Sequence, residues 1–441
     1  MKKIPDVLEH GVIYQINLRA FTPEGTLNAA AKMLPHLREI GADIVYLCPV
    51  VCADDSADVA GWSDRQRASG FLNPKNPYRI ADYANVDPEY GTNEDLRRFV
   101  DAAHALGLRV LLDLVYFHCG PNAVFLAEHP DFLLRDADGA PAVGAWRFPR
   151  LNFASQALRE FLWENMALFV RDYGVDGYRC DVGDQVPLDF WAEGVRRLRE
   201  LRPDVLMLNE GANPDALDVF DLNYSWVFRN AFSDCVEAGK PASEFAAKVR
   251  QLCAEGLRNT YRSIFFLDNH DTASDDYDNR LEKRIGFAAM NLGLVLNFLL
   301  PNVPFLYNGA EVADENRHSL WANRFCGANL VIDWQNACTE RGRQRLALVR
   351  ALRTLRERPE FGLSAGLEFV DAGEALVFRR WLGGRAAAVL ANPTDRDLAV
   401  AADLAARSPS VLLSDGAAVD CGGAGRVQAT LKAHGYAVLA L

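Results

Sequence analysis

The sequence predicts an α/β protein built on a (β/α)8 barrel, with a short inserted domain after the third strand and a C-terminal antiparallel β-sandwich. Three observations carry this assignment. Between Gly11 and about Pro359, eight short apolar runs alternate with segments of helical period. Most runs are followed by a helix, the order expected of parallel strands joined by crossovers. After about Gly362 short runs are separated only by turns, as in an antiparallel sheet.

The first β-rich run covers residues 12–18 and precedes a helical pattern at 27–40. The second strand, 44–48, is followed by a polar insertion at 51–83 that carries Trp62, Phe71 and Tyr78, then by a helix at 93–106. The third strand, 110–116, leads into an insertion at 118–152 rich in Pro, Gly, Asp and aromatics. Helices at 156–172, 188–201, 242–256, 281–299 and 340–356 then alternate with strands at 177–180, 205–208, 219–222, 263–267 and 303–307. A doubly wound open sheet is the structural runner-up, but no GxGxxG or P-loop follows the first strand. The C-terminal runs are 367–370, 375–381, 386–391, 398–400, 410–413, 427–431 and 436–441. The expected domains are residues 1–117 and 153–361 for the barrel, 118–152 for the insertion and 362–441 for the sandwich. Both insertions would lie on the C-terminal face of the barrel, where loops build function.

Composition narrows the partners. At 441 residues with 50% hydrophobic and 24% charged, the chain has the makeup of a globular protein with a large and a small domain. A net charge of −12 opposes nucleic acid or an anionic membrane as the main partner, but not a neutral substrate. The amino terminus lacks the apolar stretch of a secretory signal, and the run at 291–300 is too short to span a membrane. Nine cysteines, scattered from Cys48 to Cys421 without CxxC or Cys/His ligand spacing, suit free thiols in a reducing cytoplasm rather than disulfides or zinc. A cytoplasmic location is the expectation.

Three of the apolar runs end in an acid: Gly177-Tyr178-Arg179-Cys180-Asp181, Leu206-Met207-Leu208-Asn209-Glu210 and Phe266-Leu267-Asp268-Asn269-His270-Asp271. A lone acid is usually a helix cap or a surface charge. Three at strand ends, with Arg179 and His270 beside them, point instead to a cleft. Glycosidic cleavage needs an acid to protonate the leaving oxygen and a carboxylate to support the sugar cation, about 5–5.5 Å apart when configuration is retained. Asp181 and Glu210 end consecutive strands, and strands lie about 4.8 Å apart, so that separation is accessible. Arg179 points to the same side as Asp181 and would keep it ionised as a nucleophile. Glu210 has no cation beside it in sequence and would keep its proton as an acid.

These stretches resemble the α-amylase family of glycoside hydrolases, and so do four others. They are Asn76-Pro77-Tyr78-Arg79-Ile80-Ala81-Asp82-Tyr83 with Val86-Asp87-Pro88-Glu89-Tyr90-Gly91-Thr92, then Asp113-Leu114-Val115-Tyr116-Phe117-His118, Leu151-Asn152, and Val303-Pro304-Phe305-Leu306-Tyr307-Asn308-Gly309-Ala310-Glu311. The resemblance implies Asp181 as nucleophile, Glu210 as general acid/base and Asp271 as transition-state stabiliser. It implies sugar contacts from His118, Arg179 and His270, a stacking platform from Tyr78 and support of Arg179 by Asp113. It further implies a retaining hydrolase of α-1,4-linked glucans or maltooligosaccharides. Transglycosylation, sucrose or trehalose substrates and α-1,6 cleavage share the same triad. A non-catalytic scaffold homologue is the reading from another class, and the three retained acids oppose it.

The chain departs from the family at several positions. Phe117 stands where relatives often have an Asn that helps hold calcium, and it offers no oxygen ligand. The loop Phe21-Thr22-Pro23-Glu24-Gly25-Thr26 lacks an acidic calcium run, so no cofactor or metal is expected at the usual places. A surface role is the expectation for Asp131, Asp136 and Asp138 in the insertion. Phe148-Pro149-Arg150-Leu151-Asn152 and Asp181-Val182 are similar to neopullulanases and cyclomaltodextrinases, although the barrel starts too early for their N-terminal domain. Gly211 follows the acid where relatives often have an aromatic. The short insertion and missing secretion signal fit an enzyme acting on imported oligosaccharides.

Overall fold

Eight short strands close into a parallel barrel, because each is apolar on both faces and must be covered on both. The structure is a computed structural model that describes residues 5–255, 262–274, 277–326, 330–406, 408–420 and 425–441. In chain order the strands are β1 (Ile13–Ile16), β2 (Ile44–Leu47), β3 (Val51–Ala53), β4 (Ile80–Val86), β5 (Arg109–Leu114), β6 (Gly177–Cys180), β7 (Leu206–Asn209), β8 (Leu222–Tyr224), β9 (Ser263–Phe265) and β10 (Val303–Tyr307). The closed ring runs β1-β10-β9-β8-β7-β6-β5-β2, while β3 and β4 form a separate antiparallel pair in the insertion after β2.

Side chains alternate between two cores, as the period of a strand requires. Ile13, Ile44, Tyr46, Leu111, Leu206, Leu208, Ile264, Val303 and Phe305 fill the barrel interior. Their neighbours Tyr14, Val45, Leu47, Val110, Leu112 and Met207 pack outward against the helices. Continued by two residues past the interior layer, the inward series reaches Gln15, Asp113 and Glu210 at the C-terminal mouth. Gly177 opens β6 because a Cβ there would sit 1.9 Å from the Leu206 carbonyl oxygen.

The elements follow the sequence pattern with local differences. The helix expected at 27–40 is two helices, Leu27–Ala31 and Leu34–Glu39, and that at 281–299 divides into Leu281–Arg284 and Gly286–Leu299. The sixth barrel strand lies later than the apolar run at 219–222, because residues Pro214–Asp218 coil into a 3-10 turn. A helix at Val227–Glu237 has no counterpart in the sequence reading. Gly256 and Cys421 lie outside the described residues.

The C-terminal region is one antiparallel sheet of six strands: β11 (Gly366–Val370), β12 (Leu376–Leu382), β13 (Arg385–Ala391), β14 (Leu398–Ala406), β15 (Ser410–Asp420) and β16 (Gly425–Ala440). The two runs expected at 427–431 and 436–441 are a single long strand. It pairs with β14 along its first half and with β13 along its second, and β15 flanks both halves. Residues from both halves share one apolar cluster that includes Val377, Leu390, Val400, Leu404, Val427 and Leu439. The expected sandwich is therefore a single antiparallel sheet with a shared apolar face. Arg380 ties it to the barrel by donating to the backbone carbonyls of Leu299 at 2.8 Å and Gly362 at 2.6 Å. Among the described residues, no helix is long and apolar enough to cross a membrane.

Candidate active site

The three acids open onto one pocket at the C-terminal mouth of the barrel. Arg179, Asp181, Glu210, Tyr78, His118, His270 and Asp271 all line it. Strand register explains the first contacts. Asp113 on β5 lies directly opposite Arg179 on β6, and Cys180 lies opposite Asn209, which brings Asp181 and Glu210 side by side.

A single buried guanidinium organises the floor. Arg179 Nη1 donates to both oxygens of Asp113, at 2.8 and 2.9 Å, and to Asp181 Oδ1 at 2.9 Å. Its Nη2 lies 2.8 Å from Glu210 Oε2. Here the structure corrects the sequence argument, which gave Arg179 to Asp181 alone and left Glu210 without a cation. The guanidinium reaches across to the next strand and serves both acids. Burial pushes the Asp181 carboxyl well above the usual range, Arg179 opposes that shift, and Glu210 and Asp113 add to it.

Hydrogen bonds distinguish the pair where charge does not. Glu210 Oε2 accepts from the Val182 backbone N–H at 2.7 Å and forms an ion pair with Arg179 Nη2 at 2.8 Å. With Oε2 engaged as an acceptor, Oε1 is the oxygen that can carry a proton. Val182 achieves this with φ of 38°, a left-handed conformation unusual for a β-branched residue. Asp181 uses Oδ1 toward Arg179, which leaves Oδ2 for chemistry.

Behind the acids runs a directed chain of hydrogen bonds. The His270 backbone N–H donates to Gln15 Oε1 at 3.2 Å, so the other end of that amide is Nε2, a donor. Gln15 Nε2 lies 2.7 Å from His270 Nδ1, which must accept. The neutral ring then carries its hydrogen on Nε2, 2.8 Å from the Tyr78 hydroxyl, and that hydroxyl donates to Asp113 Oδ2 at 2.9 Å. Burial lowers the His270 pKa, in keeping with a neutral ring. Tyr46 also donates to Asp113. The Tyr78 and His270 rings stack, 5.4 Å apart and 13° from parallel. His118 donates from Nε2 to the Tyr78 carbonyl at 2.9 Å, and its buried Nδ1 has no partner among the described residues. Burial lowers His118 to about 4, so Nδ1 is an acceptor for a hydroxyl group.

Asp271 meets Arg65, whose Nη2 donates to Oδ1 at 2.7 Å. Burial alone would raise Asp271, but His270, Arg65 and Arg179 outweigh it and lower the acid to about 2. With His270 neutral, Arg65 and Arg179 are the charged neighbours. Gln15, Arg65 and Tyr46 are absent from the sequence-derived site. Gln15 had a legible signal, being a polar residue at an inward position of an otherwise apolar strand.

The positions that depart from the family have physical causes. Phe117 is buried, edge-on to Trp146, with the Arg150 guanidinium 4.8 Å from its ring centroid. This aromatic and cationic surface does not fit a hard metal ion, which needs oxygen donors. Gly211 is required because a Cβ there would lie 2.2 Å from the Asp184 carboxylate carbon. That carboxylate accepts from the N–H groups of Ala212 and Asn213, at 2.9 and 3.1 Å, and pins the loop after the acid.

A family model described as "Alpha amylase, catalytic domain" matches residues 7–132. A cyclomaltodextrinase from a Bacillus species is 27% identical over 319 residues, covering 67% of this chain and 53% of that protein. A malto-oligosyltrehalose trehalohydrolase from Deinococcus radiodurans is 32% identical over 221 residues, covering 49% of this chain and 33% of that protein. The chain spans about half the length, or less, of these curated relatives. Among solved structures, an α-amylase from Lactobacillus plantarum matches with a TM-score of 0.80 at 26% identity, covering 98% of this chain and 99% of that one.

Proposed function

This chain carries an α-amylase-family catalytic domain, and on that premise we propose that it is a retaining hydrolase of α-1,4-linked maltooligosaccharides. The observation that carries the reading is the shared guanidinium. Arg179 bridges Asp181 and Glu210 while leaving Oδ2 of one and Oε1 of the other uncommitted.

In the first step Glu210 Oε1–H gives its proton to the glycosidic oxygen. Asp181 Oδ2 forms a bond to the anomeric carbon as the leaving sugar departs. In the second step Glu210 takes a proton from water, whose oxygen attacks the same carbon and frees Asp181. Asp271, ionised at about 2, accepts hydroxyl hydrogen bonds from the sugar as its ring flattens. His118 Nδ1 accepts another. No step passes through a metal, in keeping with the Phe117 surface.

The free thiols among the described residues, Cys48, Cys52, Cys119, Cys180, Cys235, Cys326 and Cys338, support a reducing cytoplasm as its setting. The trehalohydrolase relative favours one second reading, cleavage of a trehalose-capped maltooligosaccharide. The test is a panel of maltoheptaose, pullulan, sucrose, trehalose, cyclodextrin and a trehalose-capped oligomer, with anomeric NMR of the first product. Retained configuration on maltoheptaose supports the proposal. Inverted product, or full activity in Asp181→Asn, would sink it.

A further inference from the structure

We propose that the pocket is closed beyond a single sugar unit on the side away from Glu210, and that Arg65 is the residue that closes it. The protein would then remove one glucosyl unit at a time from non-reducing ends. This rests on the glycosidase reading above and narrows its substrate to chains with a free end.

The leaving group lies on the Glu210 side, because Glu210 protonates it, so the sugar retained on Asp181 extends the other way. In the ring β1-β10-β9-β8-β7-β6-β5-β2, β7 carries Glu210 and stands four strands from β1 in either direction. The far side of the pocket is therefore the sector of β1 and its neighbours β2 and β10. Arg65 comes from the loop after β2 and donates to Asp271 beyond β9 at 2.7 Å. That ion pair crosses the sector of β1 and β10 like a bar.

The wall behind the bar is rigid. Asn73 Nδ2, in the same loop as Arg65, donates to the Trp321 carbonyl beyond β10 at 2.9 Å. Arg19, after β1, donates to the carbonyls of both Lys75 and Leu320. Leu320 and Trp321 are buried and line the pocket together with Arg65. The Glu210 side is different. Gly211 carries no side chain, Ala212 to Asp215 are exposed, and none of these residues lines the pocket. The loop after Glu210 sets no wall against the pocket, while the other side ends in a charged bar and a hydrogen-bonded wall.

The experiment compares p-nitrophenyl maltoheptaoside with the same compound blocked by a 4,6-O-ethylidene group at its non-reducing end. For the wild type, the expected results are glucose as the first small product, cyclodextrin resistance and at least about 100-fold slower cleavage of the blocked compound. Arg65→Ala should raise the blocked-to-unblocked rate ratio at least about tenfold, a change that general destabilisation would not produce. Comparable wild-type rates on both compounds, or cleavage of cyclodextrin, would overturn the closure while leaving the hydrolase reading intact. An unchanged ratio in Arg65→Ala would overturn the role of Arg65. Failure to cleave either compound would overturn the hydrolase reading and this inference with it.

Discussion

Gln15→Leu tests the least visible part of the site. The substitution is similar in volume but removes the donor 2.7 Å from His270 Nδ1 and the acceptor 3.2 Å from its backbone N–H. The first loss costs about 1 kcal/mol as a neutral hydrogen bond, and leaving Nδ1 buried without a donor brings the cost to about 1–3 kcal/mol. The ring recovers part of this by moving its hydrogen to Nδ1, which removes the Nε2–H that meets Tyr78. If that hydrogen matters mainly in the transition state, kcat on maltoheptaose falls about 5- to 150-fold with a smaller change in KM. Nitrogen-15 NMR of the histidines should show Nε2–H in the wild type and a mixture of tautomers in the variant. Gln15→Glu should fix the opposite tautomer, because a carboxylate accepts from Nδ1–H, and should raise the His270 pKa. An unchanged kcat in Gln15→Leu, or Nδ1–H in the wild type, would refute the directed chain.

Three further outcomes are expected. Dialysis against a chelator should leave both the rate and Tm unchanged, since the Phe117, Trp146 and Arg150 surface replaces a hard-ion site; a large Tm loss would contradict this. Glu210→Gln should lower kcat on maltoheptaose by about 10²–10⁴ while retaining far more activity on a dinitrophenyl glucoside, whose leaving group needs no proton; equal losses on both would exclude Glu210 as the acid. Asp181→Asn should abolish turnover yet raise Tm at pH 7. An acid whose folded pKa is raised favours the native state only at low pH and weighs against it once ionised, so a lower Tm in this variant would contradict the raised pKa.

Much of this was legible because a parallel barrel strand is apolar on both faces and its end is marked by the first polar residue of inward parity. That rule locates Asp113 and Glu210, and the same parity carries β6 on to Arg179 and Asp181. It is less effective for β8, where Val219 and Phe220 are apolar but belong to a turn, and the strand begins at Leu222 with Asn223 in its middle. The fused strand β16 was hidden by the polar residues Lys432, His434 and Gly435, which read as a turn yet remain in the ladder. Gln15 and Arg65 meet His270 and Asp271 across 255 and 206 residues of chain, a distance over which local sequence gives no pairing signal. The closeness of Arg179 to Asp181 in sequence misled for the same reason. It concealed that Glu210, on the adjacent strand, shares the same guanidinium.

That sharing changes how the two acids acquire different roles. A cation touching both lowers the cost of charge on both, so proximity to Arg179 cannot select the nucleophile. Hydrogen bonding instead fixes which oxygen of each acid is left without a donor among the described residues. Glu210 Oε2 receives the N–H of Val182, itself in a left-handed conformation, and lies 2.8 Å from Arg179 Nη2. A backbone held there by a β-branched residue stores about 1–3 kcal/mol that the surrounding contacts must offset. In exchange, Oε2 is held as an acceptor, and Oε1 is the oxygen left to carry the proton when Glu210 acts as the acid. Among the described residues the Asp181 carboxylate accepts from Arg179 on Oδ1 and has no donor on Oδ2, which leaves Oδ2 for an electrophilic carbon. The division of labour therefore lies in the peptide after Asp181: the residue next to the nucleophile sets which oxygen of Glu210 carries the proton.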